Sequence, residues 1–179
     1  MRTASDAGRI RQALRAATSD DHQRVDAVYG RYSLGSASDY RAFLTAHARA
    51  VGALEPLAGP AVPRLPLLRD DLAALGAPCP PAMPVAASSA PGFVWGLRYA
   101  LEGSRLGGAM LARQVGEGLP KAYLSAAHGK GEWAQFQRAM DEAGAEGGAH
   151  WLDGAVLGAR AAFALFAQAG EAALETAHG

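Results

Sequence analysis

The 179-residue sequence contains a single cysteine, Cys79, so no disulfide can form within the chain. This excludes a disulfide framework, and the scarcity of thiols is typical of proteins of the reducing cytoplasm. An excess of charge of one sign is also lacking, because 17 Lys and Arg residues balance 17 Asp and Glu residues. There is no basic bias for nucleic-acid binding and no charged block typical of a disordered tail. We therefore expect a cytoplasmic protein that binds no nucleic acid.

Long apolar runs are missing as well. The polar N-terminal segment contains no apolar signal core. The most apolar stretch, AVLGARAAFALFAQAG, includes Arg160 and is too short to span a membrane. Alternating apolar and polar residues, which are typical of half-buried strands, do not recur in any convincing run. These absences predict a helical protein without a membrane segment.

Apolar residues recur at helical spacing in four long segments. The first covers about residues 5–29. The second follows an expected N-cap at Ser38 and ends at Pro56. The third covers about residues 92–116, and the last begins near Trp151. Shorter helices are expected at LLRDDLAALG, inside a region with nine of the ten prolines, and at GEWAQFQRAMDEAG. The pattern predicts an all-α, compact, single-domain helical bundle over residues 1–179.

The segment LRAATSDDHQRVD carries a histidine with two useful neighbours. Asp26 follows His22 by four residues, so its carboxylate can approach the imidazole from the next helical turn. Carboxylates in this position commonly orient a metal-bound imidazole. Arg15 precedes His22 by two turns on nearly the same face, which suits an anionic ligand lying along the helix. Haem has this layout, with a central iron and peripheral propionates, although an ordinary boundary histidine is the alternative.

The segment YALEGSRLGGAMLARQ places three glycines inside a predicted helix, where each costs about 1 kcal/mol relative to alanine. Gly103 and Gly107 share a face, and Gly108 widens the gap. One explanation is close packing between helices through small residues. The other is a helix backbone that leans over a flat ligand and leaves room for a small molecule above it.

Together the two segments resemble the proximal and distal helices of haem oxygenases. In that family a histidine follows a Leu…Ala-Thr pattern, an acidic residue follows it by four, and a glycine-rich helix comes later in the chain. The run LEGSRLGG is most similar to the bacterial branch associated with bacteriophytochromes. The resemblance covers roughly residues 14–166.

The resemblance implies a role for each matching residue. His22 would be the axial ligand of the haem iron, and Asp26 would hold it in place. Arg15, and in a looser alignment Arg138, would face the propionates. The distal wall at the oxygen site would consist of Gly103, Ser104, Gly107 and Gly108, and the haem edge would meet Phe163 and Phe166.

Ser104 is the one clear departure from the family pattern. Many haem oxygenases have an aspartate there, directly after the first distal glycine, and it organises water near the bound oxygen. A hydroxyl donates and accepts hydrogen bonds but carries no charge. We expect backbone carbonyls and the neighbouring Arg105 to supply further contacts for that water.

The resemblance also implies the reaction: cleavage of haem, as substrate and cofactor, to biliverdin, carbon monoxide and iron. The reaction requires molecular oxygen and an electron donor such as a ferredoxin or a flavoprotein reductase, and a bacteriophytochrome is a candidate acceptor of biliverdin. A non-catalytic haem-binding or haem-delivery protein on the same fold is the alternative. A thiaminase-like enzyme would need a cysteine nucleophile in a pocket, for which Cys79 among prolines is poorly suited.

Overall fold

The computed structural model describes residues 8–178, and all regular structure in this part of the chain is helical. This confirms the predicted all-α class; the start of the first predicted helix, at residues 5–7, lies outside the described residues. The helices are α1 (Arg9–Ala17), α2 (Ser19–Tyr29), α3 (Ala37–Ala58), α4 (Leu65–Ala74), α5 (Phe93–Ala112), α6 (Ala122–Ser125), α7 (Glu132–Glu146) and α8 (Trp151–His178).

Thr18 divides the first predicted helix into α1 and α2. Its backbone leaves the helical region at φ −116° and ψ 10°. Its hydroxyl donates a hydrogen bond to the Leu14 carbonyl at 2.8 Å, and its own amide reaches the same oxygen at 3.1 Å. A threonine hydroxyl that bonds to the carbonyl four residues back tends to bend a helix. The expected continuous helix was therefore wrong at Thr18, and His22 lies in the first turn of a new helix.

The boundaries of α3 also differ from the prediction. Ser36, not Ser38, precedes the helix in an extended conformation. The helix passes Pro56 and ends at Ala58, after which Gly59 adopts a left-handed conformation at φ 56°. The expected helices in the proline-rich region and after residue 130 are present as α4 and α7.

The long helix α8 packs against α2, α3 and α5. Its contact with α5 is so close that a Cβ atom at Gly96 or Gly158 would overlap the backbone of the other helix. Gly92 lies against Trp151, and Gly96 against Ala155, so the two helices run in the same direction. Because α2 and α5 both rest on α8, this helix joins the two elements that carry the predicted site. No helix in the described part of the chain has the length and apolar character needed to cross a membrane.

Candidate functional site

His22 projects from the first turn of α2 with 60% of its side chain exposed. Its Nδ1 lies 3.1 Å from Asp26 Oδ2, as the spacing predicted. The ring meets the edge of Phe163 of α8 with 5.7 Å between the centroids. With Nδ1–H donating to the carboxylate, Nε2 carries the lone pair that a metal ion binds. No described residue bonds to Nε2, so this nitrogen is open to a ligand.

The two predicted aromatic residues of α8 are both buried, one turn apart. Phe163 supports His22, whereas the Phe166 backbone carbonyl accepts a hydrogen bond from the Tyr29 hydroxyl at 2.9 Å. The Phe166 ring lies 5.6 Å from that of His47 of α3. The rings of Phe163 and Phe166 therefore form an apolar surface beside His22.

The three glycines of α5 serve two different purposes. Beyond its chain neighbours and the nearby backbone of α5, a Cβ atom at Gly103 or Gly107 would meet nothing within 4 Å, so close packing does not explain these two glycines. A Cβ atom at Gly108 would lie 2.8 Å from the Leu124 carbonyl oxygen of α6, so packing does explain this one. The open space at Gly103 and Gly107 fits the explanation that the helix backbone faces a ligand and leaves room for it.

Tyr99 connects this face of α5 to the α1–α2 junction. Burial raises the pKa of its phenol, while the positive charge of Arg15 and a hydrogen bond with Thr18 oppose that rise. Tyr99 precedes Gly103 by one helical turn, so Arg15 lies at one end of the row of open glycines. Tyr99 lies four residues before Gly103 and eight before Gly107, and this helical spacing could have identified it from the sequence.

Arg138 is not brought together with the other predicted residues. It is exposed on α7, a helix that packs against α1, and it makes no described contact with His22 or with α5. Its role toward a propionate stays a prediction.

Ser104 contacts an arginine that sequence analysis did not identify, Arg64. Its Oγ donates to the Leu101 carbonyl at 2.7 Å and accepts a hydrogen bond from Arg64 Nη2 at 2.6 Å. Arg105 instead lies on another face of α5, where it bonds to the Ala126 carbonyl and to Glu102. Glu102 and the carbonyls after α6 hold the Arg105 guanidinium, and its contact with distal water stays a prediction.

Aromatic rings surround the imidazole of His47. Tyr29, Phe43, Tyr123 and Phe166 all approach it, with centroid distances of 4.4, 4.1, 5.5 and 5.6 Å, respectively. The pKa of His47 is lowered to about 4, mainly by burial and in smaller part by the charge of Arg64, while a hydrogen bond with the Phe43 carbonyl opposes the shift. Sequence analysis named Phe166 but neither the cluster as a whole nor Arg64, because the members of the cluster come from four different helices.

Two cavities of the described chain lie away from these residues. One, of about 410 Å³, lies between α5, α7 and the loop after α3, and its lining includes Trp95, Arg98 and His128. The other, of about 480 Å³, lies between α1 and α8. Neither is lined by His22, Gly103 or Gly107. Among the described residues, no three metal-ligating side chains form a cluster.

The comparison with solved structures finds the same helical fold in a haem oxygenase. The heme oxygenase of Neisseria meningitidis, in crystal structures of its NO- and CO-bound forms, matches with a TM-score of 0.76 at 22% identity. The match covers 93% of this chain and 92% of that one.

The sequence is similar to that of a protein named heme oxygenase from Xanthomonas campestris pv. campestris (strain 8004). The two are 38% identical over 109 residues, which is 58% of this chain and 64% of the relative. The chain thus matches a little under two thirds of that relative's length. No protein-family model matches the chain. The comparisons confirm the resemblance to haem oxygenases, and the assignment to the bacteriophytochrome-associated branch stays a prediction.

Proposed function

We propose that this protein is a haem oxygenase that cleaves haem to biliverdin, carbon monoxide and iron. One observation carries the proposal: α2 presents a histidine with a free Nε2, while α5 presents two glycines that face open space. Close packing explains neither feature. Both fit a flat ligand with a metal at its centre, and the similarity to named haem oxygenases supports the same function.

The donor chemistry of the site fits haem. The porphyrin ring supplies four nitrogen ligands to its iron, so the protein needs to provide a single imidazole. His22 is the residue to provide it, and Asp26 fixes its tautomer and orientation. Phe163 keeps the imidazole in place and shields it from water on one side.

Haem, once bound, supplies the iron that activates oxygen and is also the substrate whose ring is opened. The protein's contribution is to bind and orient it. Gly103 and Gly107 leave the space above the iron free of side chains. Arg15 attracts a propionate at the Tyr99 end of α5, and Phe166 excludes water from the opposite edge. Arg138 is a second candidate for a propionate.

The reaction consumes electrons, so we propose a ferredoxin or a flavoprotein reductase as the donor and a bacteriophytochrome as an acceptor of biliverdin. A cytoplasmic location, expected from the single cysteine, is part of the same proposal.

Haem titration of His22→Ala tests the ligand. The wild type should bind one haem per chain with the absorption spectrum of histidine-ligated iron, and the variant should lose that spectrum unless imidazole is added. His150→Ala is the matched control, because His150 is also exposed and also lies beside an aspartate, with its Nδ1 3.6 Å from Asp153 Oδ2. An unchanged axial spectrum in His22→Ala would remove His22 from this role.

Single-turnover conversion of bound haem tests the reaction. A defined reductant is added in air, with catalase present to remove free peroxide, and the absorption of biliverdin is followed. We expect biliverdin from the wild type and none from His22→Ala. A stable haem complex that never yields biliverdin would contradict the enzyme and leave the haem-binding alternative.

A further inference from the structure

Arg64 is a buried cation next to the distal glycines. It directly precedes α4, and its residue is only 5% exposed. The carboxylate of the buried Glu55 accepts hydrogen bonds from the backbone amide of Arg64 at 2.6 Å and from that of Leu65 at 3.2 Å. These bonds fix the backbone from which the Arg64 side chain extends toward α5.

The Arg64 guanidinium is bound on one side only. Nη2 donates to the Leu101 carbonyl at 2.8 Å and to Ser104 Oγ at 2.6 Å, and the group lies 5.0 Å from the centre of the Tyr123 ring. No described residue accepts a hydrogen bond from Nε or Nη1, and no described carboxylate oxygen lies within 4.0 Å of the group. Among the described side chains, only the Tyr40 hydroxyl and His128 Nδ1 are buried without a hydrogen-bond partner, so Nε and Nη1 of Arg64 are open to water or to a ligand.

Ser104 acts as a clamp for this arginine. Its hydroxyl hydrogen is used by the Leu101 carbonyl, and one of its lone pairs accepts from Nη2. In this arrangement the hydroxyl has no hydrogen left to donate to a ligand. Its bond to Arg64 instead ties the guanidinium to the residue that follows Gly103.

We propose that Arg64 is a positioning residue of the distal space: clamped by Ser104, it supplies positive charge and free N–H donors that favour a small anionic ligand beside Gly103. The inference rests on the proposed function for the haem that completes this space. Water and salt screen a partly buried charge less than an exposed one, so its effect on an anion beside it should be measurable. The site thus uses a cation where an aspartate is common among haem oxygenases.

Azide affinity of the ferric haem-loaded protein measures this preference. Arg64→Met should raise the azide dissociation constant about tenfold, whereas Arg64→Lys, which keeps the charge, should restore most of the affinity. Ser104→Ala, which removes only the clamp, should cause a smaller loss. Carbon monoxide, a neutral ligand of the ferrous protein, should bind all four proteins equally.

Arg98→Met is the matched control for this experiment. Arg98 is also partly buried, bonds to a carbonyl, that of Ala58, and lies 5.5 Å from the Trp95 ring, but on another face of α5. Its loss should leave azide affinity unchanged. Equal azide affinity in wild type and Arg64→Met, or an equal loss in Arg98→Met, would overturn the proposal.

The haem-free protein provides a test that survives failure of the proposed function. His47, which faces Tyr29 of α2, Tyr123 of α6 and the Arg64 charge, reports that charge through its NMR titration. Arg64→Met should raise the pKa of His47, and Arg64→Lys should not. No change in Arg64→Met would overturn the proposal. A raised pKa with the expected azide result but no biliverdin would support it while contradicting the oxygenase activity.

Discussion

The two halves of α5 use glycine for opposite reasons. At the start of α5, Gly96 and the N-cap Gly92 bring the backbone against α8. On the α8 side, Gly154 lies against the Pro91 carbonyl and Gly158 against the Phe93 carbonyl. In the second half, Gly103 and Gly107 face open space. The same residue thus allows contact in one half and preserves an opening in the other.

The comparison shows why a glycine pattern has two meanings when it is read from sequence. Spacing of four residues places two glycines on one face of a helix, but it does not say what that face meets. Where a second helix is present, the missing side chain lets the backbones approach. Where no second helix is present, glycine destabilises the helix relative to alanine and no packing contact offsets this. Such a position indicates that a ligand needs the space.

The largest effect is expected in the packed half. Gly96→Ala places a methyl group in the backbone of α8 at Ala155, where neither partner can move without shifting a helix. We expect the free energy of unfolding to fall by about 3 kcal/mol and the melting temperature by about 10 °C. Thermal unfolding of the haem-free protein measures this, and a melting temperature equal to that of the wild type would contradict the close contact.

Gly107→Leu tests the open half. The leucine side chain extends into space that the proposed ligand needs, so single-turnover haem conversion should slow at least about tenfold, or 1.4 kcal/mol in the barrier. The haem-free protein should keep its helical content, and its melting temperature should not fall, because leucine favours the helix over glycine. The opposite pattern, a lower melting temperature with normal turnover, would show that Gly107 serves packing.

Smaller substitutions sharpen the contrast within one helical turn. Gly103→Ala should stabilise the haem-free protein by up to about 1 kcal/mol, because alanine favours the helix and its Cβ atom meets no neighbour. Gly108→Ala, the matched control, should destabilise it, because the Cβ atom would press on the Leu124 carbonyl. Urea unfolding of the two variants decides this, and shifts of the same sign would break the comparison.

The smallest effect is expected at Arg15. Exposed charges contribute less than about 1 kcal/mol, so Arg15→Ala should change the orientation of haem more than its affinity. The measurement is the distribution of biliverdin isomers. Arg138→Ala should change that distribution less, because Arg138 is exposed on α7, whereas the charge of Arg15 acts on Tyr99 of α5. Wild-type isomers and affinity in both variants would refute the proposed propionate contacts.

The sequence by itself determined the features that depend on short separations. Helical periodicity placed Asp26 one turn after His22, and the structure has their side chains 3.1 Å apart. The same periodicity placed Gly103 and Gly107 on one face. A local effect that it missed is the break at Thr18, because a threonine hydroxyl that bonds back to a helix is compatible with both a bend and a straight helix.

Only the tertiary structure decided which face of each helix meets a neighbour and which stays open. Arg64 and Ser104 are separated by 40 residues, and their 2.6 Å hydrogen bond exists because α3, α4 and α5 fold together. Arg105, adjacent to Ser104 in sequence, lies elsewhere because successive residues on a helix point about 100° apart. Contacts of this kind depend on how whole helices pack, and the residues next to Ser104 in sequence do not predict that packing.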